Sequence, residues 1–97
     1  MWRVSFRPEI ESDLRDGIDW YDSKLQGLGQ QFLEDFRNVV DRVIENPLQF
    51  ATASHGLRPC RLKRFSYVVY YRLTDEEILF VAVWSGFRDE TSLRDRG

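Results

Sequence analysis

The chain contains 97 residues, of which 42% are hydrophobic and 31% are charged, and its formal net charge is −2. These totals are typical of one soluble globular domain with a modest core, so we expect residues 1–97 to form a single domain. No apolar run reaches the roughly 18 residues of a membrane helix, and the N-terminus lacks the apolar core of a signal peptide, so neither is expected.

Charge is distributed unevenly along the chain. Residues 1–56 contain six basic and ten acidic side chains, whereas residues 57–97 contain eight basic and six acidic ones. Residues 57–73 include five Lys or Arg and no Asp or Glu, which predicts a basic surface there. The single cysteine, Cys60, cannot form an internal disulfide, so we expect a reducing, cytoplasmic location.

A strand and a helix are predicted first. Trp2, Val4 and Phe6 alternate with polar residues, as in a half-buried strand, and Pro8 suits the first turn of a helix. At Gly17 we expect a close helix–helix contact with no room for a Cβ. The apolar stripe of this helix consists of Ile10, Leu14, Ile18, Tyr21 and Leu25.

A second helix is predicted after the glycines at residues 27 and 29. It runs to Asn46, because the residue before Pro47 avoids the helical region. The short break makes the two helices an antiparallel hairpin, and residues 47–56 form a loop. The apolar side of the second helix carries Phe32, Phe36, Val39, Val40 and Val43.

Three consecutive strands are predicted at residues 59–65, 67–73 and 78–84, with turns at Ser66 and residues 74–77. The last of them is seven apolar residues without a break, which favours a central position in the sheet. The predicted fold is therefore α+β, in the order β-α-α-β-β-β, with a helical hairpin packed on one face of a mostly antiparallel sheet.

The last strand is apolar on both faces, which is unusual for a sheet with helices on one side only. Strict alternation places Leu79, Val81 and Val83 on one face and Ile78, Phe80, Ala82 and Trp84 on the other. We therefore expect a second apolar face that is covered by the C-terminal tail or, as an exposed patch, by a partner.

The basic residues allow three interpretations: contacts to phosphates, contacts to an acidic and apolar protein segment, or a solvated strand face. Nearby aromatic rings can stack on bases in the first interpretation. The cations are Arg58, Arg61, Lys63, Arg64, Arg72 and Arg88. The rings are Tyr67, Tyr70, Tyr71 and Phe87.

Neither a metal nor a cofactor is expected. His55 is the only histidine and has no second metal-type ligand near it in sequence. Cys60 is interpreted as a small buried apolar group, and nothing in the sequence orients His55 as its base. No phosphate-binding glycine loop is present.

Three stretches of the chain carry a family likeness. Residues 61–72 (RLKRFSYVVYYR) form a basic, apolar and aromatic strand pair, and residues 82–89 (AVWSGFRD) form a closing stretch. An N-terminal strand, Pro8 and an acidic helix containing Asp13 and Leu14 form the third. On these stretches the sequence resembles the toxins of the RelE/ParE superfamily from bacterial type II toxin–antitoxin systems. Ser66 replaces a common proline and Ser85 a common histidine.

The resemblance leaves two activities open. RelE-like members cleave messenger RNA on the ribosome, for which Arg61, Lys63, Arg72 and Arg88 would supply charge. No Tyr or His follows Tyr71, so the usual proton-transfer residue is missing. ParE-like members inhibit DNA gyrase by binding, and the resemblance favours this non-enzymatic activity.

The resemblance also implies a cognate antitoxin that neutralises the toxin in a hetero-oligomer. We expect its acidic or apolar segment to cross Arg61, Lys63, Tyr70 and Arg72. The full set predicted to bind antitoxin or target is Arg58, Arg61, Lys63, Arg64, Tyr67, Tyr70, Arg72, Phe87 and Arg88.

Overall fold

The computed structural model describes residues 2–86 and confirms the β-α-α-β-β-β order. Its elements are β1 (Arg3–Phe6), α1 (Glu9–Lys24), α2 (Leu28–Glu45), β2 (Arg58–Arg61), β3 (Tyr67–Leu73) and β4 (Glu77–Ser85), with 3-10 turns at Pro47–Gln49 and Ser54–Gly56. The strand order is β1-β4-β3-β2, with β1 parallel to β4 and the other pairs antiparallel. The apolar strand β4 is therefore central, as predicted. In this described part of the chain, neither helix is long and apolar enough to cross a membrane.

The helical hairpin depends on close backbone approach. A Cβ on Gly17 would lie 2.6 Å from the ring of Phe32, so the predicted lack of space is confirmed. Gly27 adopts a φ of 96°, a left-handed conformation that favours glycine at the turn between the helices. Asp22 at the end of α1 accepts hydrogen bonds from the N–H groups of Gly27 and Gly29, at 3.2 and 2.8 Å, and so caps α2. Leu25, predicted on the apolar stripe, is 64% exposed because α1 ends at Lys24.

The core lies between the hairpin and one face of the sheet. Phe32 is fully buried and contacts three aromatic rings at centroid distances of 4.9 to 5.6 Å. Those rings belong to Tyr21, Phe65 and Tyr67. Edge-to-face and tilted pairs of this kind stabilise a core beyond the area that they bury.

A β-bulge in β4 corrects the predicted faces of that strand. Tyr70 pairs with Ala82 and Tyr71 with Phe80, so Val81 is an extra residue opposite the Tyr70/Tyr71 step. An extra residue shifts the alternation of side chains by one position. Val83 therefore packs on the helix side with Ile78 and Phe80, whereas Ala82 and Trp84 join Leu79 and Val81 on the other side.

The second face of the sheet is apolar, as expected, but it is not an exposed patch. Its central side chains are at most 5% exposed within this single chain: Leu57, Val68, Tyr70, Val81, Ala82 and Trp84. The prediction of an open apolar surface for a partner on this face is therefore wrong. Among residues 2–86, the large apolar side chains that are exposed belong instead to β1, the helices and the loops that follow them: Phe6, Trp20, Leu25, Ile44 and Leu48.

Asp13 replaces a missing strand neighbour of β4. The register of β1 with β4 ends at Phe6 and Phe80, because the chain turns into the first helix directly after Pro8. Beyond that point the carboxylate of Asp13 accepts a hydrogen bond from the N–H of Val83 at 3.0 Å. Asp13 is 8% exposed, so the helix supplies an acceptor to a backbone group that water cannot easily reach.

Asp35 holds the turn between β2 and β3. Its two carboxylate oxygens accept hydrogen bonds from the N–H groups of Lys63 and Arg64, at 3.3 and 2.8 Å, and it is 2% exposed. The predicted strand at residues 59–65 is therefore wrong at its end, because β2 stops at Arg61 and the backbone then turns. The N–H of Leu62 donates to the carbonyl of Tyr67 at 3.0 Å, which closes this turn.

Replacing Asp35 by alanine should destabilise the protein. Two partly buried N–H groups lose a charged acceptor, so we expect Asp35→Ala to lower the free energy of unfolding by about 3 kcal/mol. Urea denaturation measures this quantity. Asp41→Ala removes an exposed carboxylate from the same helix and should change it by less than about 0.5 kcal/mol. Equal effects of the two substitutions would contradict the assignment.

Tyr71 should make stability fall in alkaline solution. Burial raises its pKa to about 12, and the ring is fully buried with its hydroxyl donating to the carbonyl of Pro47 at 2.5 Å. In the unfolded chain this group ionises near pH 10. The folded state therefore retains a proton that the unfolded state loses, and stability declines as pH rises from about 10 to about 12.

Between about pH 10 and about pH 12, the free energy of unfolding should fall less in the Tyr71→Phe variant than in the unsubstituted protein. We expect the difference to be on the order of 2 kcal/mol. Burial also raises the pKa of Tyr21 and Tyr67, so a residual slope should remain in the variant. Urea denaturation at several pH values compares the two slopes. Parallel curves would show that Tyr71 does not carry the effect.

Candidate partner-binding site

β2 forms one edge of the sheet, and its backbone faces outward at alternate residues. The hydrogen bond from the Leu62 N–H to Tyr67 fixes the pairing, so Cys60 lies in a hydrogen-bonded pair with Val69. Arg61, opposite Val68, then lies in a non-hydrogen-bonded pair and directs its N–H and C=O away from β3. The register therefore leaves the N–H of Arg61 without a partner on the neighbouring strand.

A pocket of about 400 Å³ lies along this edge. Arg42 from the last turn of α2 and Arg61 from β2 supply its positive charge, and the Arg42 guanidinium lies 5.7 Å from the ring centroid of Phe50. The remaining lining is largely apolar: Phe50, Pro59, Cys60, Val68 and Tyr70. A carboxylate that is attached to an apolar chain fits both features of this lining.

Three predicted cations are exposed at or next to the edge: Arg61, Lys63 and Arg64. Arg64 lies against α2, where its guanidinium donates to the side-chain and backbone oxygens of Gln31 at 3.4 and 3.5 Å. Together with the hydrogen bonds to Asp35, these contacts fix the basic turn relative to the helices.

Strand alternation separates the other predicted residues. Arg58 and Tyr67 lie on the face of the sheet that packs against the helices. The Arg58 guanidinium donates a hydrogen bond to the carbonyl of Phe50 at 2.5 Å. Arg61, Tyr70 and Arg72 belong to the opposite face. The structure therefore brings together only part of the predicted set. Phe87 and Arg88 lie outside the described residues.

Two of the three tyrosines predicted to stack on bases are buried. Tyr71 is fully buried and Tyr70 is 5% exposed, so neither ring presents a face to solvent. Tyr67 packs against Phe32 and Tyr21, and burial raises its pKa, with the charges of Tyr21, Asp16 and Asp13 adding to the shift. The stacking interpretation is therefore wrong for Tyr70 and Tyr71, whereas Tyr67 is only half-buried.

Neither a reactive thiol nor a metal-binding cluster occurs among the described residues. Cys60 is 1% exposed, and burial raises the pKa of its thiol although the Arg42 charge opposes this, so it remains protonated at neutral pH. Residues 2–86 contain no cluster of three or more His, Cys, Asp or Glu that could bind a metal ion.

Sequence reasoning missed Arg42 and Phe50. Arg42 lies on α2 and Phe50 in the loop after it, 18 and 10 residues before Cys60, and only the return of the chain to the sheet brings them to β2. The position of Arg42 in the last turn of a helix, where cations are common, was the one available signal.

Comparison with known proteins agrees with this architecture. A chain of a chromosomal ParDE TA system from P. aeruginosa superposes with a TM-score of 0.78 at 18% identity, covering 88% of this chain and 96% of that one. At this identity the likeness shows the fold.

A second similarity is to an enzyme. A glycerol-3-phosphate dehydrogenase (NAD(P)+) of Acholeplasma laidlawii (strain PG-8A) is 31% identical over 74 residues, which make up 76% of this chain and 22% of the enzyme. Because the chain spans only about a fifth of that enzyme, its activity is not transferred to this protein.

The family comparison covers most of the sequence. The family model described as ParE toxin of type II toxin-antitoxin system, parDE, matches residues 4–90 of the 97. The chain therefore belongs to the ParE toxin family of type II toxin–antitoxin systems.

Proposed function

We propose that this ParE-family toxin inhibits growth by binding DNA gyrase, without cutting RNA, and that a cognate antitoxin neutralises it. One observation carries the proposal: the basic edge presents cations beside a pocket whose thiol and tyrosine side chain are buried. Such a surface can bind an acidic partner, whereas RNA cleavage needs a positioned group that takes or gives a proton.

Ribosome-dependent cleavage of messenger RNA is the alternative. Arg61 and Lys63 are exposed and can contact phosphates, as that reaction requires. The tyrosines of β3 do not supply the missing base. Tyr70 and Tyr71 are buried. Burial raises the pKa values of Tyr67 and Tyr71, so the hydroxyls of these two residues stay protonated at neutral pH.

Neutralisation by an antitoxin is supported by charge. Residues 57–73 carry no acidic side chain, and Arg61, Lys63 and Arg64 are exposed within this segment, where β2 ends and the chain turns. Carboxylates of an antitoxin segment can form charge-assisted hydrogen bonds there, and these add most where the pair is shielded from water.

Gyrase inhibition is tested with purified components. We expect the folded toxin to inhibit DNA supercoiling by gyrase, and Arg61→Glu to weaken inhibition about tenfold, since it reverses a charge at the proposed contact. Arg37→Glu, an exposed change on α2, should leave inhibition unchanged. Codon-specific cleavage of messages in a translating extract, lost in Arg88→Ala and without any effect on gyrase, would overturn the proposal.

Antitoxin binding is tested by titration calorimetry with the cognate antitoxin. We expect Arg61→Glu to weaken the complex about tenfold and Arg37→Glu to leave its affinity nearly unchanged. Only part of the affinity should fall with added salt, because the apolar lining of the pocket contributes a term that salt does not screen. Equal affinities of the two variants would show that the antitoxin docks elsewhere.

A further inference from the structure

We propose that β1 pairs antiparallel with β1 of a second copy of this chain, in a register centred on Val4, so that two four-stranded sheets form one continuous sheet. Among the described residues, β1 and β2 are the two edges of the sheet, so this contact leaves the basic edge of β2 free in both copies. The inference does not rest on the proposed function, because it requires neither gyrase nor an antitoxin.

The outer edge of β1 has backbone groups that are available for pairing. The N–H groups of Arg3 and Arg7 donate to carbonyls in and just before β4, each at 2.9 Å, so the odd-numbered residues of this strand direct their backbone toward β4. Because these groups alternate along an extended strand, the N–H and C=O of Val4 and Phe6 point outward. Within the described part of the chain, β4 is the only strand beside β1. A second extended strand can therefore add to this edge.

Three of the four possible two-fold registers contain a conflict. A register centred on Arg3 would place this arginine opposite itself, and one centred on Ser5 would place it opposite Arg7. Like charges directly opposed in a sheet are destabilising. A register centred on Phe6 would extend the pairing to Pro8, which has no N–H to donate. The register centred on Val4 avoids all three conflicts.

This register also matches the apolar side chains on the helix side of the strand. It places Val4 opposite Val4 and Phe6 opposite Trp2 of the second copy. Phe6 is 47% exposed and stacks on Phe80 at a centroid distance of 4.9 Å, so the part of its ring at the sheet edge remains open to solvent. Trp2 of the second copy can cover this ring, and aromatic pairs across antiparallel strands are stabilising.

Charge is complementary on the other face of the strand. The register places Arg3 opposite Ser5 of the second copy. The Ser5 hydroxyl donates to the carboxylate of Glu77 at 2.6 Å, and Arg3 of the same chain lies 3.6 Å from that carboxylate. Each Glu77 can therefore lie between two arginines, one from each copy.

A groove of about 420 Å³ extends the contact beyond the strand. It begins at Phe6, so the Trp2 side chain of the second copy reaches its mouth. A four-residue strand buries little area by itself, so we expect a weak dimer to which this groove contributes. The apolar part of its lining is Phe6, Pro8, Ile10, Leu14 and Phe36.

Short edge strands and edge charges also protect sheets against aggregation, which is the simplest alternative explanation of this sequence. That explanation accounts for the four-residue length of β1 and for Arg3 and Arg7. It does not account for an exposed aromatic ring at the edge, nor for Glu77, which offsets the charge of Arg3.

Sedimentation velocity of the full chain alone tests for the dimer. We expect monomer at about 1 µM and mostly dimer at about 200 µM, as for a small interface. Phe6→Lys should stay monomeric throughout, whereas Trp20→Lys should dimerise like the unsubstituted protein, since Trp20 is a 55% exposed ring on α1. A protein that is monomeric at about 200 µM, or equal loss of dimer in both variants, would overturn the proposal.

A charge exchange tests which residues meet. Arg3→Glu alone and Glu77→Arg alone should each weaken self-association about tenfold, because like charges then face each other across the contact. An equimolar mixture of the two variants should dimerise again, since each copy then meets the opposite charge in the other. The repulsion inside each variant is the same with and without mixing, so a mixture that stays monomeric would refute the contact between Arg3 and Glu77.

Oxidation of single cysteine variants tests the register, because native Cys60 is 1% exposed and does not compete. Val4→Cys should form a disulfide-linked dimer, since directly opposed residues have Cα atoms about 5.5 Å apart. Ser5→Cys should not, because the two Ser5 positions lie diagonally, about 7 to 8 Å apart. Linkage through Ser5→Cys and not through Val4→Cys would overturn the register centred on Val4.

Discussion

Two buried aspartates, one from each helix, join the helical hairpin to the backbone of the sheet. Asp13 accepts a hydrogen bond from Val83 in the central strand, and Asp35 accepts two from the turn that follows β2. Buried carboxylates are costly unless they are fully hydrogen-bonded, so these positions tolerate few other arrangements of helix and sheet. The aromatic packing around Phe32 fills the space between the two attachments.

These attachments determine what the sheet offers to a partner. Asp35 turns the backbone after Arg61, which keeps β2 short and places Lys63 and Arg64 at a corner rather than along a strand. The edge that remains carries a guanidinium on each side and a largely apolar floor. The shape of this edge thus follows from a carboxylate that does not itself belong to the pocket.

The order and type of the elements could be predicted from sequence because each carries a local signal, such as Pro8, the Asn46–Pro47 step or the apolar run of β4. The faces of β4 could not be predicted, since the bulge at Val81 depends on pairing with β3 and leaves no mark in an apolar run. The end of β2 was missed for a related reason, because Asp35, which turns the chain there, lies on α2 and far away in sequence.

The candidate site was likewise only partly predictable. Its cations are visible in the sequence, but the burial of the β3 tyrosines and the approach of α2 to the pocket arise from packing, which no local pattern encodes.

Amide hydrogen exchange of the uncomplexed protein, resolved by residue, tests the central claim most directly. The account predicts slow exchange at Val83 and Arg64, whose N–H groups bond aspartates rather than strands, and fast exchange at Arg61, whose N–H faces outward from β2. Fast exchange at Val83 and Arg64, together with an Arg61 amide as protected as that of Cys60, would contradict both the aspartate attachments and the open edge.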